Sequence, residues 1–301
     1  MPEGHTLHRY ARDHHGWFAG KQVRVKSPQG RFAQGAALLD GRQFVSARAW
    51  GKHLFYVFDG DGSEARNVHI HLGLFGRFRR YAGEEPEPRG AIRLRIVHPE
   101  RTLDLHGPTR CECLTDRQVR EQLAKLGPDP LREECTAEAF LANLQRTRRG
   151  IGQVLMDQSM VAGIGNVYRA ELLLEHRLNP FVPAREVDPD VARALWDTSR
   201  RWLQLGVRLN RIVTADPKEV GRPPSRMRRG ERVRIYKRPV CAVCGAARPE
   251  DGGSVGAAST LASAERVQAS AGPWQCGVCT LINDGAGSVL CAACGSPQPE
   301  A

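Results

Sequence analysis

The chain has 301 residues, with 44 Lys+Arg against 33 Asp+Glu, a net charge of +11, 41% hydrophobic residues and nine cysteines. That length allows one to three domains with a sizeable core, and no apolar run approaches the ~20 residues needed to span a bilayer, which excludes an integral membrane protein. The N-terminal stretch MPEGHTLHRYARDHHGWFAG is interrupted throughout by His and Arg and offers no secretory apolar region, so a cytoplasmic protein is expected. Paired cysteines there read as metal ligands before they read as disulfides. The charge is uneven: residues 241–301 hold two Arg and five Asp+Glu, so a surplus of +14 falls on residues 1–240. Such a surplus marks a polyanionic partner, nucleic acid or an anionic membrane surface, or else an idle solvated face.

In chain order, a helix is predicted over residues 6–18. A region of period two follows from about residue 20 to 106, through QVRVKS, QFVSARAW to HLFYVFDG, NVHIHLG, AIRLRIVH and TLDLHG, with turn clusters such as DGDGS and GEEPEPRG between. In AIRLRIVH the alternation predicts Ile92, Leu94 and Ile96 facing inward, with Arg93 and Arg95 outward. The whole reads as a β-sandwich or barrel preceded by one helix. After LGPDPL (126–131), read as a linker, the period becomes helical. Thr136 caps a helix through about Gln145, the pieces IGQVLMDQSMVAG and GNVYRAELLLEHR are joined by a glycine turn, and Asp188-Pro189 starts a long helix. Its stripe is Ala192, Leu195, Trp196, Ser199, Trp202, Leu203, Gly206 and Val207, with Arg193, Arg200 and Arg201 off it. Residues 211–238 read as a basic connection unable to build a core, ending in GRPPSRMRRGERVRIYKR with eight Arg/Lys in 18 residues. A Gly/Ala/Ser-rich linker follows. The class is α+β multidomain, divided as 1–125, 126–238, 239–273 and 274–301.

Chemistry is concentrated first at Pro2 and Glu3. Removal of the initiator methionine before a small residue frees the secondary amine of Pro2. An α-amino group titrates near ~8, so a useful fraction is neutral and able to form an iminium with an aldehyde-level carbon. A carboxyl beside it, Glu3, can move protons to and from a sugar oxygen or leaving group. A disordered terminus is the alternative.

MPEGH, WGKHL (50–54), HLGLFG (71–76), LGPDPL and GIGNVYRAE (163–171) occur in this order, and over residues 1 to about 245 the chain closely resembles the formamidopyrimidine-DNA glycosylase/endonuclease VIII family of base-excision repair. The resemblance implies a catalytic β-sandwich, a helix-two-turn-helix domain and a C-terminal zinc finger. It also implies a bifunctional DNA glycosylase/AP lyase: Pro2 attacks C1′, Glu3 protonates the sugar ring oxygen, Lys52 contacts phosphate and the target nucleotide, and β- and δ-eliminations cut the strand. Lys52 is otherwise a solvated turn residue. Asn166 matches the asparagine that holds a DNA phosphate with helix N-terminal N–H groups, with plain helix capping as the alternative. Leu74 and Phe75 fall on the loop that fills the void left by an extruded nucleotide, or else lie in a strand core. In GPTRCE, Thr109, Arg110 and Cys111 stand where the formamidopyrimidine branch places arginine and phenylalanine, which favours oxidised pyrimidines. Thr6 departs from the glutamate of some endonuclease VIII members. The partner implied is damaged double-stranded DNA, bound by a monomer. Oxidised purines as substrates, and a non-catalytic lesion- or nucleic-acid-binding protein, remain as alternatives.

Cysteines 241, 244, 276, 279, 291 and 294 form three CxxC pairs, whereas a tetrahedral zinc takes two. YKRPVCAVCG begins the family finger, yet 31 residues separate Cys244 from Cys276 and no arginine stands shortly before the latter. Candidates to replace it are Arg226, Arg228, Arg229 and Arg266. WQCGVCTLINDGAGSVLCAAC resembles a Ran-binding-protein zinc finger over 274–294, which implies one Zn²⁺ on Cys276, Cys279, Cys291 and Cys294. Trp274 and Asn283 are then candidate contacts for single-stranded nucleic acid or a protein, or Trp274 simply packs over the finger. Cys241 and Cys244 join a stretched family finger, recruit Cys111 and Cys113, or are a relic. Cys135 reads as an ordinary thiol. His5, His8, His14, His15, His69, His71 and His106 have no ligand spacing and read as DNA-proximal or structural.

Overall fold

The computed structural model describes residues 2–83 and 85–238, together with the backbone of two short strands further on, Trp274–Gln275 and Ile282–Asn283. The chain divides into two compact units, residues 1–134 and 135–301.

The first unit starts with α1 (Gly4–Phe18), which buries Leu7, Ala11, His14 and Phe18 along one face. The strands β1 (Lys21–Gln22), β2 (Arg24–Lys26), β3 (Gln43–Trp50), β4 (His53–Phe58), β5 (Asn67–His71), β6 (Arg77–Ala82), β7 (Ile92–His98), β8 (Arg101–His106) and β9 (Arg110–Leu114) follow, with α2 (Ala33–Leu39) between β2 and β3. They form two antiparallel sheets, ordered β1-β3-β4-β5-β9 and β2-β7-β8-β6. Alternation sends Leu54, Tyr56, Phe58, Val68, Ile70, Leu94, Ile96, Leu103 and Leu105 into one shared core with α1. The other face of the first sheet carries Phe55 and Leu114, covered by Val119 and Leu123 of α3 (Asp116–Leu123). Thr115 and Gln118 close a capping box at the start of α3.

One expectation of alternation fails. Arg95, predicted to face solvent, is fully buried. Its guanidinium grips Asp104 with two bonds of 2.7 and 2.8 Å, donates to the Pro86 carbonyl at 2.8 Å and meets Glu85 at 3.2 Å. Period two put Arg95 on the outward face correctly, but the segment after β6 folds over that face, and a paired carboxylate makes the burial tolerable.

The second unit contains α4 (Ala137–Gln145), capped by Thr136, then α5 (Ile151–Val154), α6 (Asn166–Glu175), α7 (Pro189–Leu209) and α8 (Pro217–Val220). The expected first helical piece shrinks to the single turn α5. In α7 the Asp188 carboxylate accepts from the N–H groups of Asp190 and Val191, and Asn210 closes the helix in the left-handed conformation (φ 55°). The predicted stripe is buried from Ala192 to Gly206, with Trp196 stacked on Phe140 of α4 at 5.8 Å. Residues 211–238 were expected to lack a core. Instead, Val213, Ala215 and Met227 form a small apolar cluster with Leu205, Leu209 and Val220. Arg226, Arg228 and Arg229 stay exposed around the buried Met227. Among the described residues no helix is long and apolar enough to cross a membrane.

Candidate active site

Pro2 and Glu3 lie directly before α1. Glu3 takes an extended conformation as the residue preceding the helix, is fully buried, and its carbonyl accepts the Thr6 N–H at 2.8 Å. Lys52 sits in the two-residue turn Gly51–Lys52 joining β3 to β4, where Trp50 and His53 are register partners. Gly51 adopts φ 54°, which a glycine accepts without a Cβ clash.

What ties these pieces together was not foreseen. The buried Asp129 places one oxygen, Oδ2, 2.7 Å from His8 Nε2 in α1 and 2.6 Å from the Gly51 backbone nitrogen, while Oδ1 accepts the Leu131 N–H at 2.8 Å. Trp50 Nε1 donates to the Gly127 carbonyl at 2.9 Å, and Arg132 donates to the Ala49 carbonyl at 3.0 Å with its guanidinium 4.7 Å from the Trp50 ring centroid. The segment LGPDPL, read as a linker, is therefore a clamp between the start of α1 and the lysine turn. Its proline and glycine content signalled irregular backbone but not the buried carboxylate.

Leu74 and Phe75 are 63% and 82% exposed in the turn between β5 and β6, which disposes of the strand-core alternative. Gly73 in that turn has φ 63°, and a Cβ there would fall 1.9 Å from Thr109 Oγ1, so the GPTRCE loop packs against the base of the exposed turn. Arg110 opens β9 opposite His71 and pairs with Glu112 at 3.5 Å.

In the second unit, Asn166 is the first residue of α6 rather than its cap. Gly165 is the cap, with no side-chain hydrogen bond to the helix. The loop before it is shaped by Gln158, which donates to the Met156 and Ile164 carbonyls at 3.0 and 3.1 Å and accepts the Gly163 N–H at 3.0 Å. Nothing in the sequence pattern singled out Gln158.

Of the histidines expected to be structural or DNA-proximal, His5, His14, His69 and His106 are buried, His8 and His71 half-buried and His15 exposed. Burial pushes His5 down to about 4 and His14 down to about 3. His14 Nδ1 is 2.6 Å from the Tyr56 hydroxyl. Cys111 and Cys113 pack against the sandwich core as free thiols, and burial pushes them up to about 12 and about 11. Cys135 is a buried free thiol. Among the described residues no group of three or more His, Cys, Asp or Glu is arranged to hold a metal. Cys241, Cys244, Cys276, Cys279, Cys291 and Cys294, with Arg266, lie outside the described residues, and only the pairing of Trp274 with Asn283 and Gln275 with Ile282 is described nearby.

The first unit is thus a helix-led antiparallel sandwich with Pro2 and Glu3 directly before its helix and a clamped lysine turn, and the second unit is helical. Residues 1–114 match the family model for the formamidopyrimidine-DNA glycosylase N-terminal domain, and residues 126–217 that for its H2TH domain. Endonuclease 8 1 of Mycobacterium bovis is 44% identical over 251 residues, covering 81% of this chain and 92% of that protein. The formamidopyrimidine-DNA glycosylase of Thermus thermophilus is 35% identical over 185 residues, 60% of this chain and 66% of that one. Among solved structures, the MutM (Fpg) protein of Thermus thermophilus aligns with a TM-score of 0.64 at 28% identity, covering 82% of this chain and 92% of that one. The Lactococcus lactis enzyme, solved with DNA containing an AP site, aligns with the same TM-score at 20% identity over 81% of this chain and 92% of that one, a likeness of fold alone. The chain belongs to the formamidopyrimidine-DNA glycosylase/endonuclease VIII family, DNA glycosylases with AP lyase activity that act in base-excision repair.

Proposed function

We propose that this enzyme removes oxidised bases, preferably pyrimidines, from double-stranded DNA as a monomer and then cleaves the strand through a covalent iminium on Pro2. The secondary amine attacks C1′ and the base departs with a proton. Glu3 protonates the ring oxygen as the sugar opens, giving the iminium. Loss of a C2′ proton breaks the C3′–O bond, and loss of a C4′ proton breaks the C5′–O bond. Lys52 holds phosphate and the target nucleotide, Leu74 and Phe75 fill the space of the extruded base, Arg110 contacts the DNA, and Asn166 with the α6 N-terminus binds a backbone phosphate.

The observation that carries this reading is the Asp129 clamp, which ties the helix directly after Pro2-Glu3 to the turn bearing Lys52 through bonds of 2.7 and 2.6 Å. Exposure of Leu74 and Phe75 supports the void-filling role. The pyrimidine preference is supported by the GPTRCE departure and by the 44% identity to an endonuclease 8. Borohydride should trap a covalent complex with oxidised-base or abasic duplex, and Pro2→Ala should abolish it. No trapped species from the wild-type chain on any such substrate sinks the proposal, and faster cutting of 8-oxoguanine or formamidopyrimidine than of oxidised pyrimidines reverses the preference.

For the C-terminal finger we propose one zinc on Cys276, Cys279, Cys291 and Cys294, with Trp274 and Asn283 contacting single-stranded nucleic acid or a protein. The two described strands flank the first of these CxxC pairs, a placement that suits a zinc-holding hairpin. Metal analysis should return one zinc per chain. Two would bring in Cys241 and Cys244 and overturn the single-site assignment.

A further inference from the structure

On the face of the first sheet that turns away from the sandwich core, three strands place a row of polar side chains in one line. The register sets His53 of β4 opposite His71 of β5, His69 of β5 opposite Glu112 of β9, and His71 opposite Arg110. Their chain neighbours Leu54 and Ile70 are fully buried on the other face. Within the row, His69 Nδ1 is 3.0 Å from Glu112 Oε1, and His53 Nδ1 is 2.8 Å from His69 Nε2. The two rings have centroids 5.1 Å apart and planes inclined by 21°, and Phe55 lies nearly parallel to His69 at 4.7 Å. His69 is completely buried, whereas the Glu112 side chain is 41% exposed.

The donors and acceptors fix the protons. A carboxylate only accepts, so His69 donates from Nδ1, and its neutral ring leaves Nε2 to accept the Nδ1–H of His53. That leaves His53 Nε2, on the other edge of the ring, as a bare lone pair. The groups facing this end are Lys52 on the turn, His71, whose ring is 5.0 Å from His53, and Arg110. All three histidines are pushed down, first by burial; Lys52 and Arg110 add to it at His53 and His71, while Glu112 opposes it at His69. A chain of neutral imidazoles ending on a solvent-accessible carboxylate is more than a fold requires. An apolar trio of similar size would stack on Phe55 without needing partners.

We propose that His53, His69 and Glu112 form a proton relay between the Lys52 end of the sandwich and solvent, serving the strand-cleaving step. A proton lost from the sugar carbon and received at His53 Nε2 releases the Nδ1 proton to His69 Nε2. His69 in turn releases its Nδ1 proton to Glu112, which yields it to water. Outward passage inverts both tautomers and inward passage restores them. From the resting tautomers the relay carries one proton outward, that of the first elimination, and a proton returning inward from water through Glu112 must reset it before it carries a second. His69 touches no substrate and is a positioning and transfer residue, not a catalytic one.

This inference rests on the Pro2 reading, and the test separates the two. With the full-length chain and an abasic duplex under single-turnover conditions, borohydride trapping reports Pro2 attack, while strand scission reports elimination. His69→Gln keeps a donor toward Glu112 and an acceptor toward His53 but cannot pass a proton. It should trap like wild type and cut on the order of tenfold or more slowly, within the range of general acid–base effects. Its pH–rate profile should be altered, and Glu112→Gln should behave alike while Glu112→Asp recovers most of the rate. Wild-type scission rate and pH profile in folded His69→Gln overturn the relay, as does an equal loss of trapping and scission, which marks a purely structural role. Nitrogen-15 NMR that finds either His53 or His69 protonated on Nε2 in the free protein also overturns it. A wild-type chain that cuts without trapping overturns the Pro2 reading alone, and one that does neither overturns both.

Discussion

Replacing Glu171 by glutamine changes one oxygen of a buried carboxylate into an amide nitrogen, in a site where every neighbour is a donor. Oε1 accepts the backbone N–H groups of Ile235 and Tyr236, each at 2.9 Å, while Oε2 accepts the Arg234 N–H and the Thr214 hydroxyl, each at 2.8 Å. The amide nitrogen is least harmful at the Oε2 position. Thr214 can there turn its proton to the Arg232 carbonyl, 3.4 Å away, and accept from the new amide. The Arg234 N–H is then left facing another donor. An unsatisfied buried donor costs about 1–3 kcal/mol, and the two bonds at Oε1 each fall from charge-assisted to neutral strength, a further ~1 kcal/mol apiece. The expected loss is at least about 3 kcal/mol, the lower end of that sum, concentrated where residues 234–236 close onto α6, and Glu171→Ala should lose more. Amide hydrogen exchange at Arg234, Ile235 and Tyr236 should accelerate by roughly a hundredfold, since ~1.4 kcal/mol is a factor of ten, with urea unfolding reporting the total. A loss under ~1 kcal/mol with unchanged exchange at all three amides would refute the reasoning.

Acid should weaken the first unit as its buried neutral histidines take up protons. His5 and His14 are held near 4 and 3 in the folded chain against 6.5 when unfolded, so their stability is fully present above pH 6.5 and is lost as pH falls toward 4. Each contributes up to about 1.4 kcal/mol per pH unit in that window. Asp40 and Asp116 are held below their ordinary values by Arg24 and Arg66 and stay ionised there. Denaturant midpoints at pH 7 and 5 should differ clearly, and equal midpoints would count against the buried neutral histidines. Phe75→Ala removes a side chain that is 82% exposed, so stability should change by no more than about 0.5 kcal/mol. Its excision from duplex DNA should slow several-fold more than scission of a preformed abasic site, and equal slowing would oppose the void-filling role.

Local signals carried the element plan. Alternation marked β3, β4, β5, β7 and β8, the Asp188-Pro189 pair marked the start of α7, and its stripe from Ala192 to Gly206 is the face that packs. Each depends on residues within a few positions of one another, as do the motifs at Pro2, Lys52, Leu74, Phe75 and Asn166. What was not legible depends on distant partners. Arg95 reads as solvent-facing until Glu85, Pro86 and Asp104 close over it, and Met227 reads as part of a charged connection until Val213 and Ala215 meet it.

The sequence by itself determined the family, the α+β order of elements and the candidate chemical groups, because period, capping and motif spacing are written in near neighbours. Only the tertiary structure decided that Asp129, 78 positions from Gly51, clamps the lysine turn to α1, and that His53, His69 and Glu112 from three strands share one line of hydrogen bonds. Strand register and burial bring such residues together. Those are properties of the packed sheet, set by the whole core at once, and no short window of sequence contains them.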